Sequence, residues 1–369
     1  MSMEIPRADA GEAGPPRQTH LTGLGEVAEA HRFDVAALER YMRDHVAGFP
    51  GSLTVRQFLG GQSNPTYLLS AGGQHYVMRR KPPGKLLPSA HAVEREFRVI
   101  AALAGTGVPV PRADALCEDP DVIGTAFFIM QFVPGRILSD PALPGLTPDE
   151  RSRVYDHMNE VLARLHSLDE QALGLADFGR PGNYYTRQIH RWSSQYRASE
   201  TERIDAMERL MDWLPAHIPV DDRATLVHGD FRLGNMIVHP TEPRLVAVLD
   251  WELSTLGHPL ADLAYNCLPY RLSPAEFDGF LGEDLVGLGI PTEQAYLAAY
   301  CRRTGRDEIL DWDFYVAFAM FRLAAIAQGI MGRVIAGTAN APNARERGQR
   351  ARPLAETGWA LVRARYDPA

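Results

Sequence analysis

Cysteine is scarce in this chain: Cys117, Cys267 and Cys301 are the only three, far apart and in no paired spacing. That excludes a disulfide framework and a zinc knuckle, and it suits reduced thiols in a cytosolic compartment. Basic residues are outnumbered, 38 Lys+Arg against 46 Asp+Glu, giving a net charge of −8. The electrostatic footprint of a nucleic-acid binder is therefore missing. No uninterrupted apolar run comes near the roughly 20 residues that a membrane-spanning helix needs. The opening "MSMEIPRADAGEAGPPRQTH" has acidic residues and prolines but no apolar stretch, so it does not read as a secretory signal. Residues 1–30 are expected to form a disordered tail. A cytoplasmic protein with neither membrane nor nucleic-acid partners is the expectation.

What is present is ample core material: 369 residues, 45% of them hydrophobic, which suits one large domain or two lobes. Asp34 is placed to cap a helix over "FDVAALERYMRDHV". The run "LTVRQFLGGQSNPTYLLSAGGQHYVMRR" then reads as three antiparallel strands, broken at "GGQSNP" and "AGGQ". "SAHAVEREFRVIAAL" has the spacing of an amphipathic helix. "TAFFIMQFVPGRIL" reads as a buried strand stopped by Pro134-Gly135. From about Thr147 the pattern is mostly helical. The predicted class is α+β, with a small sheet-rich lobe over residues 31–133 and a larger, mainly helical lobe over 134–369.

Polar residues crowd one otherwise apolar stretch, "LVHGDFRLGNMIVHP" from Leu226 to Pro240. "MIVHPTEPRLVAVLDW" follows with two short β-like segments around a "PTEP" turn. As a hairpin it would put Asn235 and Asp250 at the same open end, where paired residues lie roughly 5 Å apart. One amide oxygen and one carboxylate there could share a magnesium ion, which accepts few protein ligands and fills its shell with phosphates and water. Asp230, in the loop entering the hairpin, could take a proton from an incoming hydroxyl. Arg232 could neutralise a transferred phosphoryl group. A zinc site on His228, Asp230 and His239 is the competing reading; it places His239 toward the far turn, away from the other two.

Several of these segments resemble one family. "HGDFRLGN" resembles the catalytic loop of protein-kinase-like folds, in the H-G-D form of aminoglycoside phosphotransferases and related small-molecule kinases. "VLDWE" resembles their metal-binding Asp segment. "GHPLADLAY" is similar to the segment whose Asp, here Asp262, braces the catalytic loop from a helix start, and "LARLHSLD" to the helix end before that loop. The resemblance implies a two-lobed kinase-like fold and transfer of the γ-phosphoryl of ATP, with Mg²⁺, to a small-molecule hydroxyl. It implies Asp230, Arg232 and His228 as the catalytic loop, with His228 holding the loop by hydrogen bonding, and Asn235 and Asp250 as metal ligands. In the small lobe it implies a phosphate-covering loop at "FLGGQSNPTYLL", with Gly60, Gly61, Ser63 and Asn64. A strand cation is implied at Arg79, with Lys81 on the same face as the alternative. Its helix partner would be Glu96, with Glu94 as fallback. An adenine-reading hinge is implied near Gln131 to Val133.

A narrower likeness concerns the acceptor. "GGQSNPTYLL", "RRKPPGKLLPSAHAVEREFRV" and "VLDWELSTLGHPLADLAY" are similar to the kinase-like domain found ahead of acyl-CoA dehydrogenase domains in some fused chains. That likeness implies a hydroxyacyl-CoA acceptor, and no dehydrogenase module is expected within these 369 residues. An aminoglycoside or amino-alcohol acceptor, and a catalytically inactive nucleotide- or partner-binding module, are the alternatives. "NARERGQRARP" near the C-terminus carries Arg345, Arg347, Arg350 and Arg352, either a solvated helix face or a contact for an anionic substrate.

Overall fold

The computed structural model describes residues 23–59, 64–84, 92–277, 279–339 and 341–366. Its sheet-rich lobe is one six-stranded antiparallel sheet in the order β1-β2-β3-β4-β6-β5. The strands are β1 (Leu24–Gly25), β2 (Thr54–Phe58), β3 (Thr66–Ala71), β4 (Gln74–Arg80), β5 (Ala113–Cys117) and β6 (Phe127–Gln131). β1 lies inside the stretch expected to be a disordered tail. Its two residues pair with Phe58 and Gln57, so backbone hydrogen bonding fixes the chain before residue 30.

Strand alternation divides β4 between two helices. Tyr76 and Met78 face α1 (Val35–His45), whose Leu38 and Met42 complete one apolar cluster. Val77 faces the other way, onto Val99, Ile100 and Leu103 of α2 (Val93–Leu103). Arg79 shares that second face by parity. Asp34 caps α1 by accepting from the Ala37 N–H at 3.0 Å, as its position in the sequence requires.

Beyond β6 the chain is helical: α3 (Pro148–His166), α4 (Tyr184–Ala198), α5 (Asp205–Ala216), α6 (Pro259–Asn266), α7 (Glu293–Thr304), α8 (Trp312–Ile335), α9 (Ala344–Gln349) and α10 (Ala351–Tyr366). α3 starts with a full capping box, Thr147 and Glu150 bonding each other's backbone N–H, with a proline in its first turn. α8 is long and apolar enough to cross a bilayer by length and composition. It runs instead through the helical core, with 78% of its most apolar stretch buried.

Two short ribbons lie among the helices, β7 (Thr225–Val227) with β10 (Thr255–Gly257), and β8 (Met236–Val238) with β9 (Leu245–Val248). They carry the chemistry-bearing residues. The second ribbon also ties the lobes together, Val248 N–H donating to Pro109 O at 2.8 Å, and it holds the chain just past the junction, where Arg136 and Val238 exchange backbone bonds of 2.7 and 2.8 Å.

Candidate active site

β7 delivers the chain into His228-Gly229-Asp230, and a buried carboxylate holds that turn in place. Asp262, in the first turn of α6, accepts from His228 N–H at 2.6 Å and from Gly229 N–H at 2.8 Å. Burial alone would raise its carboxyl; the hydrogen bond and charge of His166, the neighbouring His228 and the Gly229 N–H bring it below its ordinary value. Gly229 has φ +86°, and a Cβ there would come within 2.6 Å of Leu253 O, so only glycine fits.

His228 spends both ring nitrogens on the backbone. Nδ1 accepts from the Asp230 N–H at 3.1 Å, which leaves Nε2–H to donate to Leu249 O at 3.0 Å. The ring is fully buried against Trp251. Its geometry is that of a brace between the loop and the end of β9.

Asp230 Oδ2 accepts from Asn235 Nδ2 at 2.7 Å and Arg232 Nε at 3.3 Å. Leu249 N–H donates to Asn235 O at 2.8 Å, so the residue before Asp250 is fastened to Asn235 at the open end of the hairpin. Asp250 itself takes a left-handed conformation, φ +67°, which turns the chain out of β9. The Asn235 amide commits its nitrogen to Asp230, through the backbone O at 2.9 Å as well as Oδ2. Its oxygen is the atom left for a cation beside the Asp250 carboxylate. His239 lies at the other end of this hairpin, where Nδ1 accepts from the Glu242 N–H at 3.1 Å and caps the turn.

Above the hairpin, Arg79 Nη1 pairs with Glu96 and also reaches Asp250 Oδ1 at 3.0 Å, while Nη2 lies 3.9 Å from Glu252. Burial, with Asp250 and Glu252 nearby, pushes the Glu96 carboxyl up to about 7, although Arg79 pulls it down. Lys81, the alternative cation, pairs instead with half-exposed Glu94 at 2.8 Å. Asn64 Nδ2 reaches Glu252 at 3.5 Å. Gly60, Gly61 and Ser63 lie outside the described residues. At the lobe junction Gln131 N–H is committed to Arg112 O and Phe132 N–H to His75 O. Val133 N–H has no partner among the described residues.

Three further side chains border the loop, Arg322, Tyr265 and Arg347. Arg322, the lone cation in the buried part of α8, donates to Gly229 O and lies over the rings of Trp192 and Tyr265. Tyr265 stands beside Asp230, and burial with that neighbour raises its hydroxyl well above the ordinary range, so it stays a donor. Arg347 is half-buried and has no ion pair among the described residues. Burial and the positive charges of Arg232 and Arg350 push its guanidinium down, with Tyr265 opposing. Arg350 and Arg352, by contrast, are paired to Glu346 at 3.3 Å and Glu202 at 2.6 Å. An arginine interrupting the apolar α8 pattern was a visible signal for Arg322. No spacing rule could single out Arg347 among four nearby arginines.

Residues 54–312 match the model of the phosphotransferase enzyme family. Mouse acyl-CoA dehydrogenase family member 10 is 50% identical over 327 residues, 88% of this chain, and the chain spans 30% of that protein's length. A Ralstonia eutropha protein provisionally assigned to the aminoglycoside phosphotransferases is 56% identical in its crystal structure. It superposes with a TM-score of 0.84 over 90% of this chain and 99% of its own. A complex of another aminoglycoside phosphotransferase with ADP and hygromycin B has a TM-score of 0.58 at 16% identity, covering 89% of this chain and 99% of that one, a likeness of fold.

Proposed function

The chain belongs to the phosphotransferase enzyme family, and from that premise we propose that it moves the γ-phosphoryl of ATP to the hydroxyl of a small anionic molecule, a hydroxyacyl-CoA. The observation that carries the reaction is the meeting of Asp230, Asn235 and Asp250 at one end of the β8–β9 hairpin, with Arg79 bonded to Asp250. Hard oxygen donors of this kind fit Mg²⁺, and Asn235 Oδ1 and the Asp250 carboxylate are the residues that would hold it. When bound, the metal neutralises charge on the nucleotide phosphates.

Asn235 and Arg232 both donate to Asp230 Oδ2, so Oδ1 is the oxygen that accepts the acceptor's proton. Arg232 faces the charge on the transferred group. Arg79, anchored by Glu96, positions the phosphates, and the open Val133 N–H meets adenine at the hinge. The site works by positioning and charge stabilisation, as a loose phosphoryl transition state requires.

The acceptor follows from local charge. Although the chain carries −8 overall, the surroundings of Asp230 hold Arg232, Arg322 and Arg347, the last with no ion pair among the described residues. That field favours a phosphorylated or carboxylated alcohol over a cationic amino-alcohol. The likeness to acyl-CoA dehydrogenase family member 10 is compatible with a CoA thioester.

The test is Mg²⁺-dependent ATP consumption screened over hydroxyacyl-CoAs, aminoglycosides and simple amino-alcohols. Turnover is expected with a hydroxyacyl-CoA and is expected to vanish in Asp230→Asn and Asp250→Ala. Near-normal activity in Asp250→Ala would reject the metal assignment. Turnover confined to aminoglycosides would move the acceptor to the cationic class. ATP binding with no turnover on any acceptor would favour an inactive binding module.

A further inference from the structure

Behind α2, away from the residues assigned above, lies an open cleft of about 360 Å³ between that helix, the loop before α4, the first turns of α4, and β10. Its charged lining is three arginines, Arg95, Arg180 and Arg187, against a single acid, Asp177. Asp177 is already engaged, since its carboxylate takes Arg98. None of the three cleft arginines forms an ion pair with a carboxylate among the described residues. Among the described residues Arg95 donates to main-chain oxygens alone, Phe178 O at 2.7 Å and Ser254 O at 3.5 Å, and its guanidinium lies 4.1 Å over the Phe178 ring. Arg187 donates to Gly182 O and Arg180 O. Burial and Arg98 lower the Arg95 guanidinium from its ordinary value, although Asp177 and Glu94 pull it the other way.

Unneutralised guanidinium groups in one cleft cost free energy that a polyanion would recover, and their planar forks match phosphate oxygens. The walls are built for close packing: a Cβ at Gly179 would come within 2.6 Å of Leu256 N, so glycine lets the loop lie directly on β10. Those walls are also the elements that hold the candidate active site. Arg95 precedes Glu96 on α2, and its bond to Ser254 O joins α2 to the segment between Asp250 and β10. β10 pairs with β7, the strand that delivers Asp230.

We propose that this cleft binds a small molecule carrying two or more phosphate groups, and that its occupancy fixes α2 against β10 and so tightens nucleotide binding through the Glu96–Arg79 pair. The proposal stands on the cleft itself and does not require the acceptor assigned above. Coupling of this kind is reciprocal, so nucleotide must tighten the anion equally.

The test titrates inorganic pyrophosphate calorimetrically into the full chain, with the nucleotide site filled by a non-hydrolysable ATP analogue and free Mg²⁺ held constant. Saturable binding is expected, weakened at least tenfold in Arg180→Gln and in Arg187→Gln. In pyrophosphate-free buffer both variants should bind the analogue as the parent does. Arg180 is exposed and its side chain makes no hydrogen bond among the described residues, so its variant tests the site even if Arg187→Gln perturbs the loop. No binding in the parent, binding unchanged in both variants, or displacement of pyrophosphate by the analogue would each overturn the site. An analogue affinity that pyrophosphate leaves unmoved would overturn the link to α2.

Discussion

At Arg79 one guanidinium meets three carboxylates: Glu96, Asp250 and Glu252. Glu96 is 1% exposed and has no other cation paired to it among the described residues, so removing Arg79 strands a buried acid. Arg79→Met should lower the unfolding free energy at pH 7 by about 1–3 kcal/mol, because Glu96, already raised to about 7, takes up a proton and is left as a buried acid short of a hydrogen-bond partner. Urea melts would read it. Lys81→Met breaks a pair whose partners are about a third exposed, and should cost no more than about 1 kcal/mol. Kinetics should divide the same way, with the KM for ATP rising in Arg79→Met and barely moving in Lys81→Met. Equal effects in the two variants would remove the reason for preferring Arg79. The sequence left this choice open because strand parity puts both cations on one face; what separates them is depth, Arg79 being the buried one, and depth is a property of the packed sheet.

At the level of elements, the loop from β7 to β8 is held from outside rather than by its own secondary structure. Asp262 takes two of its N–H groups, and His228 ties it to β9. Asp262→Asn would turn an amide N–H toward one of those donors, a mismatch worth about 1–3 kcal/mol. The expected result is a kcat loss of at least tenfold, with a smaller change in the KM for ATP. Gly229→Ala should be harsher, because it meets both a positive φ and the carbonyl of Leu253; loss of turnover in a chain that still folds is expected, read by circular dichroism beside the ATP assay. These elements show what a sequence can and cannot reveal. The hairpin was legible because its apolar runs and turn are contiguous, and the open-end position of Asn235 and Asp250 followed from it. β1 was hidden because two residues carry no period. Arg347 was hidden as a site neighbour because it comes from α9, and only tertiary packing brings it to Asp230; Arg322 stood out as a cation in the apolar α8 run, but its partner Gly229 O was not readable from the sequence.

Across the whole molecule, buried ionisable groups set the response to acid, and two of them oppose each other. His258 caps α6: Nδ1 accepts from Leu260 N–H at 3.3 Å, and Nε2 lies 3.7 Å from Asp221. Burial pushes its imidazole down to about 4, with Arg306, Arg223 and His166 adding to the effect and Asp221 opposing it. A histidine depressed in the folded state contributes stability that is complete above the unfolded value near 6.5 and is lost as pH falls through 4. The loss is on the order of 3 kcal/mol. Glu96, raised to about 7, works the other way: its contribution is present below the unfolded carboxylate value and is lost as pH rises through 7. Asp221 is held near 2 despite burial by its bonds with Arg223 and Arg306, so its own loss comes only below about pH 3.8. His258→Asn separates the terms, because asparagine can still cap α6 through its side-chain oxygen but cannot titrate. The variant should be less stable at pH 7, having lost the ring stacked on Tyr315. Between pH 6.5 and 4 its denaturation free energy should fall less steeply than the parent's, by up to that same 3 kcal/mol or so. An acid slope identical in parent and variant would mean that His258 is not the group that titrates, and that the acid response belongs to the carboxylates alone.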